Sequence, residues 1–199
     1  MEQLKIKIIE LCDEIGNDTN SPITQLHKIV YNRKNEEMLL KLPILRFLQS
    51  IHLSRMTPQK YGFLVQARIK KDLGYSKAKN KDSGDAYKDD KNIEIKCSLI
   101  TNTNKSFNLR QARQWQECDY NILVVDIKIW NKPIIYFFKL THSDMEQELI
   151  LCDAGKSHSR GEEMSITINV DEMDKNFERW LQKYRTLSPW DDELNKNLS

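Results

Sequence analysis

No apolar run in this chain of 199 residues approaches the ~20 that a membrane-spanning helix requires. The helical-looking stretch at its start, Glu2 to Ile15, carries Lys5, Lys7, Glu10, Asp13 and Glu14, a charge density foreign to a secretory leader. Membrane and secreted classes drop out, and a cytoplasmic protein is expected. Cysteine is sparse. Cys12, Cys97, Cys118 and Cys152 lie far apart and form no Cys-x-x-Cys pair, and His27, His52, His142 and His158 form no His-x-x-x-His pair. Thiol and imidazole zinc sites are built on such pairs, and a disulfide framework needs a denser set, so reduced, mostly buried thiols are expected. Internal repeats and low-complexity linkers are missing too.

What is present reads as one folded domain over residues 1–199. Hydrophobic residues make up 39%, charged residues 30%, and mean hydropathy is −0.65, enough apolar material for a core without staples. The formal net charge of +2 hides an asymmetry. Eight bases (Arg55, Lys60, Arg68, Lys70, Lys71, Lys77, Lys79, Lys81) face one acid, Asp72, between Arg55 and Lys81, whereas thirteen acids outnumber seven bases from Asp144 onward. A local basic segment suits contact with a polyanion. A solvated lysine-rich face is the other reading.

Periodicity divides the chain into helices followed by a sheet. Leu4, Ile8, Leu11 and Ile15 recur at helical steps. Ser21-Pro22 reads as a cap and first helical residue of a helix through about Tyr31. Glu36 to about Leu53 is helical with Pro43 set to kink or divide it, and Thr57-Pro58 opens a helix that Gly74 ends. Beyond Gly74 the period becomes two. Ile93, Ile95 and Cys97 alternate with Glu94, Lys96 and Ser98, a half-buried strand. Tyr120–Ile127 and Ile134–Leu140 are nearly continuous apolar runs typical of central strands, joined by a turn at Asn131-Lys132-Pro133. Ser143-x-x-Glu146 reads as a capping box opening a helix from Asp144 to about Leu151, Ser165–Val170 as a strand, and Glu172–Tyr184 as an amphipathic helix. The expected fold class is α/β (α+β): a mixed sheet flanked by helices behind a helical segment 1–53, with the core at 57–184.

The chemistry concentrates between Ser83 and Lys96. Lys88-Asp89-Asp90-Lys91 is a polar turn between two strands. With Asp89-Asp90 as a two-residue loop, Asp85 falls opposite Glu94; with Asp90-Lys91 it faces Lys96. Either register puts Asp85, Glu94 and Lys96 on one side, and a three-residue loop breaks the pattern. Two carboxylates at ~5 Å repel unless something lies between them. A hard divalent cation such as Mg²⁺ fills that role and keeps waters for a phosphate substrate. A lysine beside it can orient a water and neutralise charge developing on phosphorus. Gly84 before Asp85 would permit a close backbone approach by a ligand. Acid, spacer, acid-x-Lys also arises by chance in charged chains, with Glu94–Lys96 a plain surface pair.

This arrangement resembles the PD-(D/E)XK nucleases, and within them the type II restriction endonucleases. Asp85, Glu94 and Lys96 match the motif with Ile95 between the last two, while Gly84 stands where the family's proline usually sits. The resemblance spans about Thr57 to Trp180. It implies a restriction-endonuclease-like fold, Mg²⁺ held by Asp85, Glu94 and the Ile95 carbonyl, and a catalytic set of Asp85, Glu94, Lys96 and Gln66. Gln66 takes the place of a glutamate that relatives carry on the preceding helix, which leaves a second metal open. It further implies hydrolysis of double-stranded DNA to 5′-phosphate and 3′-hydroxyl ends, a cognate DNA methyltransferase as genetic companion, and a bacterial or phage source.

Two later stretches also resemble restriction endonucleases: Phe107 to Gln116, leading into the Asp119-Tyr120 strand, and Leu140 to Leu149, followed by Ser157-His158-Ser159-Arg160. Arg and Gln make bidentate contacts to guanine and adenine edges and to phosphates, so Arg110 to Gln116 reads either as a DNA-contacting run or as a polar helix face with Trp115 anchored in the core. Ser157-His158-Ser159-Arg160, bounded by Gly155 and Gly161, is an exposed loop or a second DNA contact. The expected DNA-binding set is Lys77, Lys79, Lys81, Ser98, Asn108, Arg110, Gln111, Arg113, Gln114, Ser157, His158, Ser159 and Arg160. One metal centre cuts one strand, so a two-fold homodimer is expected, and the apolar stripe Leu4, Ile8, Leu11, Ile29, Leu39, Leu40, Leu45 and Leu48 either helps build its interface or packs on its own core. A structure-reading repair or phage nuclease and an inert DNA-binding module remain alternatives.

Overall fold

Proline and capping side chains set the helix boundaries of the first part of the chain. The computed structural model describes residues 2–15, 20–80, 83–129, 133–156, 163–170 and 173–196. Pro43, extended at φ −50° and ψ 143°, divides the third helical stretch as expected, leaving α3 (Glu36–Leu39) and α4 (Ile44–Leu53) after α1 (Glu2–Ile15) and α2 (Asn20–Tyr31). The second helix begins at Asn20, one residue before the expected cap at Ser21. The Thr57 hydroxyl accepts from Lys60 N at 3.3 Å and opens α5 (Pro58–Asp72), which Gly74 follows at φ +64°.

The chain divides into two compact units, residues 1–71 with 189–199, and residues 72–188. Helix α5, expected within the core at 57–184 of a single domain, belongs to the first of these units. That helix is tied to the preceding helices: Arg68, 6% exposed, donates to Leu42 O at 2.6 Å, Lys71 donates to Leu40 O at 2.6 Å, and Lys60 pairs with Glu36. The apolar stripe serves this unit's own interior. Ile8, Leu11, Leu39 and Leu48 are buried among Leu26, Val30, Phe47 and Ile51, and Leu4, Ile29, Leu40 and Leu45 are half-buried. Of the two readings of the stripe, packing on its own core is the one the fold displays. No described helix is long and apolar enough to cross a membrane.

The second unit is mixed α/β. Its strands are β1 (Ser76–Lys77), β2 (Ala86–Lys88), β3 (Lys91–Ile100), β4 (Ser106–Arg113), β5 (Asp119–Asp126) and β6 (Ile134–Leu140). Helix α6 (His142–Leu151), β7 (Gly155–Lys156), β8 (Glu163–Asn169), α7 (Lys175–Lys183) and β9 (Arg185–Thr186) complete it. One sheet runs β1-β2-β3-β5-β6-β9, antiparallel except that β3 and β5 are parallel, and β4-β8-β7 form a second, antiparallel sheet. The crossover from β3 to β5 therefore travels through the second sheet. Phe107 on β4, Phe138 on β6 and Trp180 on α7 meet at centroid separations of 5.4–6.0 Å and centre the core of this unit.

Three expectations of local structure are corrected. The capping box of α6 is Thr141 with Asp144, not Ser143 with Glu146: the Thr141 hydroxyl accepts from Asp144 N at 3.1 Å and the Asp144 carboxylate accepts from Thr141 N at 3.1 Å. Thr141 wins because it leaves β6 in an extended conformation (ψ 166°), the geometry a cap residue needs. Helix α7 starts at Lys175 rather than Glu172, capped by the Asp174 carboxylate accepting from Asn176 N and Phe177 N. The segment through Arg113 is a strand, not a helix face, and Trp115 is 49% exposed rather than anchored. The Asn131-Lys132 part of the expected turn lies outside the described residues.

Candidate active site

The β2–β3 turn is the first determinant of the site. Asp89 and Asp90 both have positive φ (49° and 60°), the two-residue hairpin geometry whose twist matches that of the strands and which Asp tolerates. The register pairs Ala86 with Ile93, Tyr87 with Asn92 and Lys88 with Lys91, which is the first of the two registers considered above. Ladder pairing stops at Ala86. At Gly84 the chain turns with φ +81°, and a Cβ there would lie 2.7 Å from the Ile93 carbonyl oxygen. The close approach that Gly84 permits is thus by the protein's own strand, not by a ligand.

Asp85 follows that turn. Its N–H donates to Ile93 O at 2.8 Å, and its carboxylate Oδ2 accepts from Ile95 N at 2.9 Å. A side chain here takes the ladder position that β2 no longer fills. On β3, Lys96 Nζ lies 2.6 Å from Glu94 Oε1, both side chains on one face of the strand as alternation requires. That face is not half-open as alternation alone suggests. Glu94 is 7% exposed, and β4 lies over it: Lys96 Nζ donates to Gln111 O at 3.3 Å and Asn108 N donates to Ser98 Oγ at 3.0 Å.

Burial pushes the Glu94 carboxyl above its ordinary range; the Lys96 charge pulls it back, and the Asp85 charge presses it further up. Arg113 exerts a weaker downward pull on the same carboxyl. The Cys118 thiol is pushed up to about 12 by burial, with the Glu94 charge adding to it. Such a site holds two mutually repelling carboxylates and one ammonium in a low-dielectric setting, where charge interactions exceed those in water.

The donor chemistry suits Mg²⁺. Asp85, Glu94 and the main-chain carbonyl of Ile95 offer hard oxygens, and a dication would offset the burial that raises the Glu94 carboxyl and the smaller repulsion from Asp85 that adds to it. Among the described residues no group of three or more His, Cys, Asp or Glu side chains assembles, so the set rests on two carboxylates. Gln66 is half-buried on α5 in the other unit and is a neutral amide. No protein-family model matches the chain, and no curated protein does. Function must be read from the geometry itself.

The expected DNA-contacting residues fall into three groups. Lys77, Lys79, Arg110, Gln111 and Gln114 are exposed, with Lys79 Nζ 4.3 Å above the Tyr87 ring. Ser98, Asn108 and Arg113 are engaged internally: Ser98 is 9% exposed, Asn108 Oδ1 accepts from the Thr167 hydroxyl at 2.7 Å, and Arg113 pairs with Glu163 at 3.1 Å. Lys81, Ser157, His158, Ser159 and Arg160 lie outside the described residues. Gln116, at the end of the Arg110 run, is 1% exposed, and its side-chain amide has no hydrogen-bond partner among the described residues. Sequence reasoning missed the role of β4 as the cover of the site. The Gln111 carbonyl at Lys96 left no local signal, because it depends on a main-chain angle and a contact between strands of two sheets.

Proposed function

We propose that this protein is a Mg²⁺-dependent type II restriction endonuclease of double-stranded DNA, with a restriction-endonuclease-like core of the PD-(D/E)XK kind. The observation that carries the reading is the convergence of Asp85, Glu94 and Lys96 at one hairpin, with the Glu94 carboxyl raised by burial, drawn back by Lys96 and pressed further up by Asp85. Buried like charges cost stability, and a strained electrostatic cluster of this kind is characteristic of functional sites. Asp85, Glu94 and the Ile95 carbonyl would hold the metal. A bound Mg²⁺ supplies Lewis acidity at a phosphoryl oxygen. Lys96, whose ammonium has one donor beyond those turned to Glu94 and the Gln111 carbonyl, orients the attacking water and neutralises charge developing on phosphorus. The water oxygen bonds to phosphorus as the P–O3′ bond breaks; the water releases a proton and the departing 3′-oxygen gains one, leaving 5′-phosphate and 3′-hydroxyl ends.

The exposed Lys77, Lys79, Arg110, Gln111 and Gln114 supply phosphate and base contacts in this reading. Cutting both strands of a short palindrome calls for a two-fold homodimer, and a cognate methyltransferase would protect the host. The test is digestion of a plasmid of known sequence with Mg²⁺, by the wild type and by the Asp85→Asn and Lys96→Met variants. Discrete bands from the wild type and none from the variants are expected. A smear or junction-dependent nicking would reassign the protein to structure-reading nucleases. Gel-shift binding without Mg²⁺-stimulated hydrolysis would make it a binding module.

A further inference from the structure

Strand β4 pairs Leu109 with Ile166 and Ala112 with Met164, so Arg110 and Gln111 together oppose one residue, Ser165. This is a β-bulge. Regular alternation from Phe107 and Leu109 would turn position 111 into the core; the extra residue hands that inward position to Ala112, 1% exposed, and leaves Gln111 exposed. Gln111 sits at φ +59°, a left-handed conformation that residues other than glycine, asparagine and aspartate avoid. The main-chain carbonyl of Gln111 accepts from Lys96 Nζ at 3.3 Å, while Glu94 takes the same ammonium at 2.6 Å. Lys96 is thus held between a carboxylate on its own strand and a carbonyl from the other sheet. Strained residues persist where surrounding structure over-determines them, and they concentrate at functional sites.

We propose that Gln111 is a positioning residue for Lys96, its left-handed main chain presenting the carbonyl that fixes where the ammonium points. The proposal rests on the nuclease reading for its consequence and on the bulge geometry for its cause. The Gln111 side chain, exposed on the same residue, belongs to the DNA-contacting surface, so one residue serves affinity through its side chain and rate through its backbone.

The experiment compares Gln111→Val and Gln111→Thr, whose β-branched side chains disfavour positive φ more than the native glutamine does, with Gln111→Ala, which carries the same Cβ as glutamine. All three lack the amide, so gel-shift affinity for duplex DNA should weaken by a common factor. Single-turnover cleavage at saturating DNA should fall about 100-fold in Gln111→Val, the loss associated with a misplacement of roughly 1 Å, in the same direction in Gln111→Thr, and least in Gln111→Ala. Independently of cleavage, the ¹³Cε resonance of Lys96 in the full-length, metal-free protein, assigned by its loss in Lys96→Arg, should move in Gln111→Val and Gln111→Thr and stay in Gln111→Ala. If Gln111→Val does not fold, the Thr–Ala comparison decides. Equal rates and an unmoved resonance in all variants would overturn the proposal, as would a Gln111→Ala protein as slow as Gln111→Val. A wild type without Mg²⁺-stimulated cleavage whose Lys96 resonance still follows this order would overturn the nuclease reading and support the placement of Lys96 by Gln111.

Discussion

Asp85 serves the fold and the site through one carboxylate, and two substitutions separate those roles. Its Oδ2 accepts from Ile95 N at 2.9 Å, and Ile95 is 1% exposed, so removing the acceptor strands a shielded N–H. A hydrogen bond to a charged acceptor contributes ~1.5–3 kcal/mol. Asp85→Ala should therefore cost about 2 kcal/mol, less the relief of its repulsion with Glu94, which for a protein of this size lowers Tm by about 4–8 °C at most. Asp85→Asn keeps an oxygen at the Ile95 N–H and gains the same relief. The expected order of melting temperatures is Ala below wild type, with Asn at or above wild type, whereas both variants lose Mg²⁺-dependent cleavage. Thermal melts followed by circular dichroism, beside a plasmid digest, read both quantities. An Ala variant melting with the wild type would refute the structural half of this reasoning; an Asn variant that cuts as fast as the wild type would refute the metal-ligand half.

Glu94, held above its ordinary value of 4.5 by burial, stabilises the fold most when protonated, so its contribution is full below that value and is lost as pH rises through the folded-state value. Glu94→Gln should remove this dependence and be more stable than the wild type at neutral pH by denaturant titration; a variant less stable there would mean that the Lys96 pair outweighs burial. Glu148 on α6 runs the other way. It is 0% exposed; burial raises its carboxyl, but hydrogen bonds from Arg179 (2.7 and 3.0 Å), Trp180 Nε1 (2.7 Å) and Tyr184 Oη (3.0 Å) outweigh it and hold the group below its ordinary value. Its stabilisation is present above the unfolded carboxyl value and fades as pH falls through the folded one. Glu148→Ala leaves Arg179 unpaired and two buried donors unmet, a loss of about 3–5 kcal/mol measurable in the same titration; a loss under about 1 kcal/mol would refute the network's role.

Local chemistry wrote much of this protein legibly. Pro43 and Thr57-Pro58 mark helix boundaries because a missing N–H and a side-chain acceptor act within one turn. The Asp89-Asp90 loop and the alternation of Glu94 and Lys96 with Ile93 and Ile95 were readable for the same reason: turn geometry and strand pleat need no partner beyond a few residues. Where two local signals competed, as Thr141 and Ser143 did for the cap of α6, the end of β6 decided between them. The sequence by itself thus determined the hairpin register and that Glu94 and Lys96 share a face of β3, whereas Asp85 lies beyond the last paired residue, Ala86, and turns its carboxylate to the Ile95 N–H. Only the tertiary structure decided what covers that face. Strand β4 meets that face at Lys96 and Ser98 and is held in place by β8, whose Thr167 hydroxyl reaches Asn108 across 59 residues of chain. No periodicity encodes that pairing, and the bulge that turns the Gln111 carbonyl toward Lys96 exists because a polar side chain fell where the two-residue period called for an apolar one, so the strand took up an extra residue and the core received Ala112.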